Sequence, residues 1–488
     1  MRLAKTEGEN RDGVRDPMAS IMRIFGLASC LVWFGVSGFI ESSPVANLSD
    51  LYTFVALAIV LFSAACLPRI VARVLGIKAC PLICGAAAGV ATILPIFFPE
   101  AEFTVVIASL LAGIGLSAIL LSWGMVFASI DVSLLIKDLL LAQLLMSLFR
   151  LACDLMPVTA GNTLRACFVF LSGCCLVFLI GKGAFKKSVE VDIDKRSSSP
   201  ISQLIKFVVA INLWALAINQ LYSIYRFCSP LDFTSLSPAA IVIEMVFVTC
   251  LYFLFRAKKI RESHFYIAVA GATLVAFLLL PIFGLESPLP FLVLFVGFSA
   301  LSLLTWVLSA RVSSMFAIHP VTVFGCSLGS FLGIQIAIAR LSAPSLFAPL
   351  ADLPVGLSIL CLAGVLSVLL AYYLVFKKSN LLGSLDKEPP SADPQPGHGD
   401  MFDNWDAVSG RYGLTRRESE VVLLFAKGRS YARIQEMLFI SRGTVNYHMN
   451  NAYRKLGISS RQELLDLIEE ERDVPCDTAD PVVPPSTS

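Results

Sequence analysis

The stretch Ser441-Arg-Gly-Thr-Val-Asn-Tyr-His-Met-Asn-Asn-Ala-Tyr-Arg-Lys-Leu-Gly457 carries its own start, stripe and stop. Ser441 is of the type whose side chain accepts from the backbone N–H groups opening a helix. Val445, Met449, Ala452 and Leu456 recur at helical spacing and form one apolar face. Gly457 then supplies the left-handed conformation that ends a helix. With that face turned to a core, Asn446, Tyr447, Asn450 and Arg454 lie on the opposite side.

The neighbouring residues are punctuated in the same way. Thr415-Arg-Arg-Glu418 is a capping box opening a helix through Val421, Val422, Leu424 and Phe425 to about Ala426. Gly428 ends it, and Ser430 opens the next, with Ile434, Met437 and Leu438 for the core. Ser460-Arg-Gln-Glu463 is a second capping box, ahead of Leu464, Leu465 and Ile468. Residues 411–470 thus read as four short helices, the second and third forming a helix-turn-helix. From Arg411 to Leu465 there are ten Arg and Lys against four Glu, a surplus that suits a phosphate backbone.

Leu414-Thr-Arg-Arg-Glu418-Ser-Glu420-Val421, then Gly428, Ile434, Leu438, Ser441, Thr444-Val445, His448, Lys455-Leu456 and Arg461-Gln-Glu-Leu464 together resemble the LuxR-type DNA-binding domain. The resemblance implies double-stranded DNA as partner, the third helix in the major groove, and a homodimer formed through the fourth. Asn446 and Asn450 are then suited to hydrogen-bond adenine, and Tyr447 to touch a thymine methyl. Arg442, Thr444, His448, Arg454 and Lys455 are expected at phosphates, which position the protein without reading sequence. Asn446 stands where the family often has Lys, and Gln435 where it often has Ala. The first departure implies a different sequence read, the second looser packing.

Upstream, residues 379–408 are polar and Pro-rich (Asp-Lys-Glu-Pro-Pro-Ser-Ala-Asp-Pro-Gln-Pro-Gly within them) and read as a flexible linker. This sets the expected domain at 409–472, with a disordered tail over 473–488. Before the linker the environment changes. The chain is 56% hydrophobic and 15% charged, against about 25% charged in ordinary soluble proteins, and the deficit is confined to residues 21–378. A bilayer span needs about 20 mostly apolar residues. Such runs fall near 21–40, 51–68, 79–98, 103–122, 138–156, 166–182, 203–224, 238–256, 264–284, 288–310, 321–340 and 353–376. The fold class is therefore all-α: a polytopic bundle of about twelve spans, then the small helical domain. The polar N-terminal segment 1–20 reads as cytoplasmic, with the first span retained.

Alternate breaks are basic: Arg69, Arg73 and Lys78; Lys182, Lys186 and Lys187; Arg256, Lys258, Lys259 and Arg261; Arg311; Lys377 and Lys378. The intervening breaks are acidic or neutral, which places both termini in the cytoplasm of a bacterial inner membrane. The longest charged break, about 183–200, divides the runs six and six. Ser117…Trp123 in the fourth run is echoed by Ser299…Trp306 in the tenth, as in a duplicated bundle. This layout resembles the major facilitator superfamily in topology. The loop after the second run, Leu67-Pro-Arg69-Ile-Val-Ala-Arg73, lacks that family's usual Asp and first Gly.

Gly325, Gly329 and Gly333 line one helical face, read as close packing or as a hinge. Polar residues inside the runs are candidate ligand contacts: Arg150 and Asp154, one turn apart and near enough to pair, with Asn219, Gln220, Glu244 and Gln335. The cysteines, mostly within apolar runs, read as small thiols filling helix interfaces rather than a metal site or disulfide framework. No cofactor, metal or catalytic constellation is expected, so an enzyme is not. The whole implies a one-component sensor that couples a membrane or small-molecule signal to DNA. The alternative is a major-facilitator-like secondary transporter with a regulatory domain.

Overall fold

A computed structural model of the protein describes residues 17–34, 44–98, 102–183, 200–231, 233–257, 262–342, 349, 355–374, 405–426, 434–435, 438, 440–458, 463–464 and 467–468. The regular elements among them are all helical. They fall into two compact units, within Met1–Glu388 and within Pro389–Ser488.

The first unit comprises α1 (Pro17–Leu31, extended by a 3-10 turn Val32–Phe34), α2 (Pro44–Cys66), α3 (Pro68–Leu75), α4 (Ala79–Phe97), α5 (Glu102–Ala128), α6 (Val132–Asp154) and α7 (Val158–Gly181). It continues with α8 (Pro200–Cys228), α9 (Phe233–Arg256), α10 (Glu262–Phe283), α11 (Pro288–Phe316), α12 (Pro320–Leu328), a π-helical segment Gly329–Ile334, α13 (Gln335–Ser342) and α14 (Gly356–Tyr372). Prolines open several of these, at Pro68, Pro288 and Pro320, where the missing N–H has no helical partner to lose.

Among the described residues, eight helices are long and apolar enough to cross a bilayer; α2 with α3 is a further span bent by 110°, and three apolar helices are shorter. These elements fall on the expected apolar runs. The first begins earlier than expected, at Pro17. Large apolar side chains face outward, with Phe103 76% and Leu278 61% exposed, as lipid contact requires. The chain is a multi-pass membrane protein.

Within the first six spans α4 packs on α5 and α7, α2 on α5, and α1 on α6 and α7. In the second six, α10 packs on α11 and α14, and α8 on α11 and α14. The halves meet where α2 lies on α12 and the π segment, α5 on α11, and α6 on α9. The two tryptophans of the internal repeat converge at this junction. Trp123 lies 5.9 Å from Phe127, Phe127 6.0 Å from Trp306, and Trp306 5.4 Å from Phe324.

The glycine face of α12 and the π segment is a close-packing surface. A Cβ on Gly325 would stand 2.6 Å from the Leu61 carbonyl oxygen, and one on Gly333 2.6 Å from the Ala58 Cβ. The π turn between Gly329 and Ile334 interrupts the regular backbone ladder beside that contact.

One buried pair of charges joins two helices of the bundle. Arg23 Nε donates to Asp138 Oδ2 at 2.7 Å, and Ser20 Oγ to Asp138 Oδ1 at 2.8 Å, which explains how an acid is tolerated in the fifth span. Cys30, Cys153, Cys175 and Cys361 are buried as expected, whereas Cys66, Cys167 and Cys250 are exposed on the outer surface of the helices and fill no interface.

The second unit holds α15 (Trp405–Arg411), α16 (Arg416–Ala426) and α17 (Arg442–Leu456). Trp405 and Val408 are buried in one core with Val421, Val422, Ile434, Val445, Met449 and Leu464. Trp405 and Val408, inside the stretch expected to be linker, therefore belong to the folded unit. A large indole packed on the core and donating to Ser419 Oγ at 2.8 Å outweighs the polar composition around it. The expected helix behind Ser430 is described only at Ile434, Gln435 and Leu438, all helical; Gly428, Ser430 and Met437 lie outside the described residues. So do Ser460, Arg461 and Gln462 of the second capping box, although Leu464 and Ile468 are helical and buried.

Candidate nucleic-acid interface and buried polar seam

Helix α17 is built as its sequence dictates. Ser441 Oγ accepts from the Thr444 N–H at 3.2 Å, and Gly457 ends the helix at φ 70°. Val445, Met449, Ala452 and Leu456 are buried, whereas Asn446, Tyr447, Asn450 and Arg454 are exposed, Tyr447 by 64%. His448 is half-buried, its ring edge-on to Tyr447 at 5.6 Å. Thr444 is half-buried at the helix start, and Arg454 Nη2 reaches Asn451 Oδ1 at 3.4 Å. The backbone of Arg442 occupies the first turn, where N–H groups and the helix dipole favour anions; its side chain lies outside the described residues.

Lys455, expected at a phosphate, is also engaged within the domain. Its Nζ lies 2.7 Å from Glu418 Oε2 and donates to the Gly413 carbonyl at 3.0 Å, so its charge is used inside the domain. Glu418 also completes the capping box, accepting from the Thr415 N–H at 2.8 Å. Burial pushes the Glu418 carboxyl up, but the hydrogen bonds from Lys455 and Thr415 outweigh it and hold the group below the ordinary glutamate value.

In the first unit the six candidate ligand residues resolve into separate contacts. Asp154 Oδ1 is 2.5 Å from Arg165 Nη2, and Asp154 Oδ2 accepts from Ser237 Oγ at 2.8 Å. Arg150, the partner that one-turn spacing suggests, pairs with Asp154 at 4.0 Å and lies over the Phe295 ring at 4.6 Å. Glu244 accepts from Gln143 Nε2 at 2.6 Å, Gln335 donates to Asn212 Oδ1 at 2.8 Å, and Asn219 bonds back to Ala215 of its own helix. Gln220 is buried. Sequence reading missed Arg165, Ser237, Gln143 and Asn212. The Ser237–Asp154 and Gln143–Glu244 bonds both join α6 of the first half to α9 of the second, forming one polar seam between halves.

Residues 413–468 match the family described as bacterial regulatory proteins, luxR family. The spore germination protein GerE of Bacillus subtilis is 42% identical over 50 residues, which is 10% of this chain and 68% of that protein. The transcriptional activator protein CarR of Pectobacterium carotovorum is 42% identical over 57 residues, 12% of this chain and 23% of that protein. The chain thus spans under a quarter of the length of CarR. The human organic anion transporter MFSD10 superposes with a TM-score of 0.50 at 14% identity, covering 73% of this chain and 98% of that one. The proton:xylose symporter XylE gives 0.50 at 13% identity, covering 73% and 94%. A multi-pass bundle of the major facilitator fold thus precedes a small helical domain of the luxR family type. The chain belongs to the luxR family of bacterial regulatory proteins.

Proposed function

We propose that the protein is a one-component transcription regulator, whose membrane bundle receives a small-molecule or membrane signal and whose tethered domain binds double-stranded DNA sequence-specifically. The observation that carries this reading is the row Asn446, Tyr447 and Asn450, exposed on a helix whose opposite face is locked into a core. Asn446 and Asn450 pair with adenine edges and Tyr447 meets a thymine methyl, while Arg442, Thr444, His448 and Arg454 hold phosphates. DNA is cytoplasmic, so both termini lie there and the bundle sits in the inner membrane, in keeping with the alternation of basic breaks. Two copies pair through the fourth helix of this domain, the one that holds Leu464 and Ile468. The reading assigns no reaction and needs no cofactor.

Its test is selection from a random DNA pool by the full chain in detergent micelles. A shared sequence should emerge, and Asn446→Ala should weaken it by about 1–3 kcal/mol while sparing non-sequence-specific binding. Equal weakening on every sequence would remove the base-reading role. Solute uptake by reconstituted protein, without any selected DNA sequence, would favour a transporter instead.

A further inference from the structure

The short helix α3 differs from the spans it joins. α2 by itself has 23 residues, about 34 Å of helix, which already exceeds the roughly 30 Å of a bilayer core. The chain then bends by 110°, so α3 does not extend that crossing and runs close to the membrane plane between the ends of α2 and α4. Its eight residues fall into three faces. Ala72 and Leu75 are buried against the bundle, where α3 packs on α2, α4 and α12. Ile70 and Val74 are 57% and 48% exposed, with exposed Leu67 and Ile77 flanking the helix. Arg69 and Arg73, one turn apart, are exposed on the third face, and exposed Lys78 follows.

The helices packed on α3 offer its arginines no counter-ion. α4 and α12 carry no acid, and the one acid of α2, Asp50, lies toward that helix's opposite end. Burial and the Arg69 charge hold the His319 imidazole below its ordinary value, so this neighbour adds no negative charge either. Ile70 and Val74 would be costly in water, and the arginines costly in the bilayer core; the boundary between the two suits both. We propose that α3 is an interfacial helix that seats Ile70 and Val74 among acyl chains and binds the phosphate of an anionic phospholipid with Arg69 and Arg73. Guanidinium forks match phosphate oxygens in pairs. A zwitterionic headgroup offers the same phosphate but cancels its charge with an amine, so the anionic lipid is preferred. Because α3 packs on α12, the bound lipid sits beside the junction between halves. This role goes beyond DNA binding and does not depend on it.

The test is hydrogen exchange of α3 in the full chain, held in nanodiscs of phosphatidylcholine alone or mixed equally with phosphatidylglycerol. The attraction of one arginine to an anionic surface corresponds to about fivefold in occupancy, so the α3 amides should exchange at least about fivefold more slowly in the mixed discs. Arg69→Gln with Arg73→Gln should remove that difference. Lys182→Gln with Arg256→Gln, exposed at two other basic breaks, should leave it intact. All four changes are to exposed side chains, so thermal unfolding should match the natural chain and exchange is read on folded protein. Equal exchange in the two kinds of disc would overturn the proposal, as would a difference that survives Arg69→Gln with Arg73→Gln. Loss of the difference in both pairs of variants would reduce it to general surface charge and overturn it equally. Inorganic phosphate added to phosphatidylcholine discs should give no protection; if it does, a free anion and not a lipid is the ligand. Protection by duplex DNA, with none from phosphatidylglycerol, would assign the surface to nucleic acid instead.

Discussion

Glu418 and Lys455 lie 2.7 Å apart, joining the first turn of α16 to the last turn of α17. The same carboxylate caps α16 through the Thr415 N–H, so one side chain fixes both the start of α16 and the end of α17. Because Glu418 is held below the ordinary glutamate value when folded, it binds a proton more weakly folded than unfolded. Its contribution is complete above the unfolded value and is lost as pH falls through the depressed folded one. Glu418→Gln should lower domain stability by about 1 kcal/mol at neutral pH and flatten the acid limb of its denaturation profile. An unchanged acid limb would show that the pair does not stabilise the domain.

Trp405 should matter to the DNA-binding unit despite lying ahead of the family-matched residues. It is 3% exposed and its indole N–H is bonded to Ser419. Trp405→Ala should cost about 3–5 kcal/mol, by the lost burial and the cavity left behind. Hydrogen exchange of α16 and α17 in the full chain reads this directly: faster exchange is expected, and no change would make α15 a dispensable appendage.

Arg23 and Asp138 join the first span to the fifth inside the bundle, with side chains 3% and 0% exposed. Asp138→Asn should destabilise the detergent-solubilised protein by about 3–5 kcal/mol, because it strips a buried guanidinium of its carboxylate. Replacing both residues with apolar ones of similar size should recover most of that loss. A single-variant Tm equal to that of the natural chain would contradict the pairing.

Gly325 and Gly271 offer a matched comparison. A Cβ at Gly325 meets the Leu61 backbone at 2.6 Å, whereas one at Gly271 meets nothing within 4 Å. Gly325→Ala should force α2 and α12 apart and cost about 1–3 kcal/mol. Gly271→Ala should be neutral or stabilising by up to about 1 kcal/mol. Thermal unfolding of the two variants side by side decides it.

The elements that local pattern defines were legible from sequence. Apolar length located the spans, and Ser441, the Val445–Leu456 stripe and Gly457 bounded α17, because caps and periodicity act over a few residues. What stayed hidden depends on residues far apart in the chain. Spacing pairs Arg150 with Asp154, as found at 4.0 Å, but does not reveal that Arg165 and Ser237 share that carboxylate, the latter from 83 residues away. The Gln143–Glu244 bond crosses 101 residues, and no periodicity signals it. Trp405 was masked for another reason, as a single buried aromatic set in polar surroundings leaves no stripe. Lys455 sits on a basic helix, and only the fold shows that Glu418 has claimed it.

The most direct test of the account is a genome-wide map of DNA bound by the full-length protein in its native membrane, with Asn446→Ala alongside. Discrete sites sharing one sequence are expected for the natural chain, and their loss in the variant at equal abundance in the membrane fraction. A correctly inserted protein with no discrete sites, or with the same sites unaffected by Asn446→Ala, would contradict it.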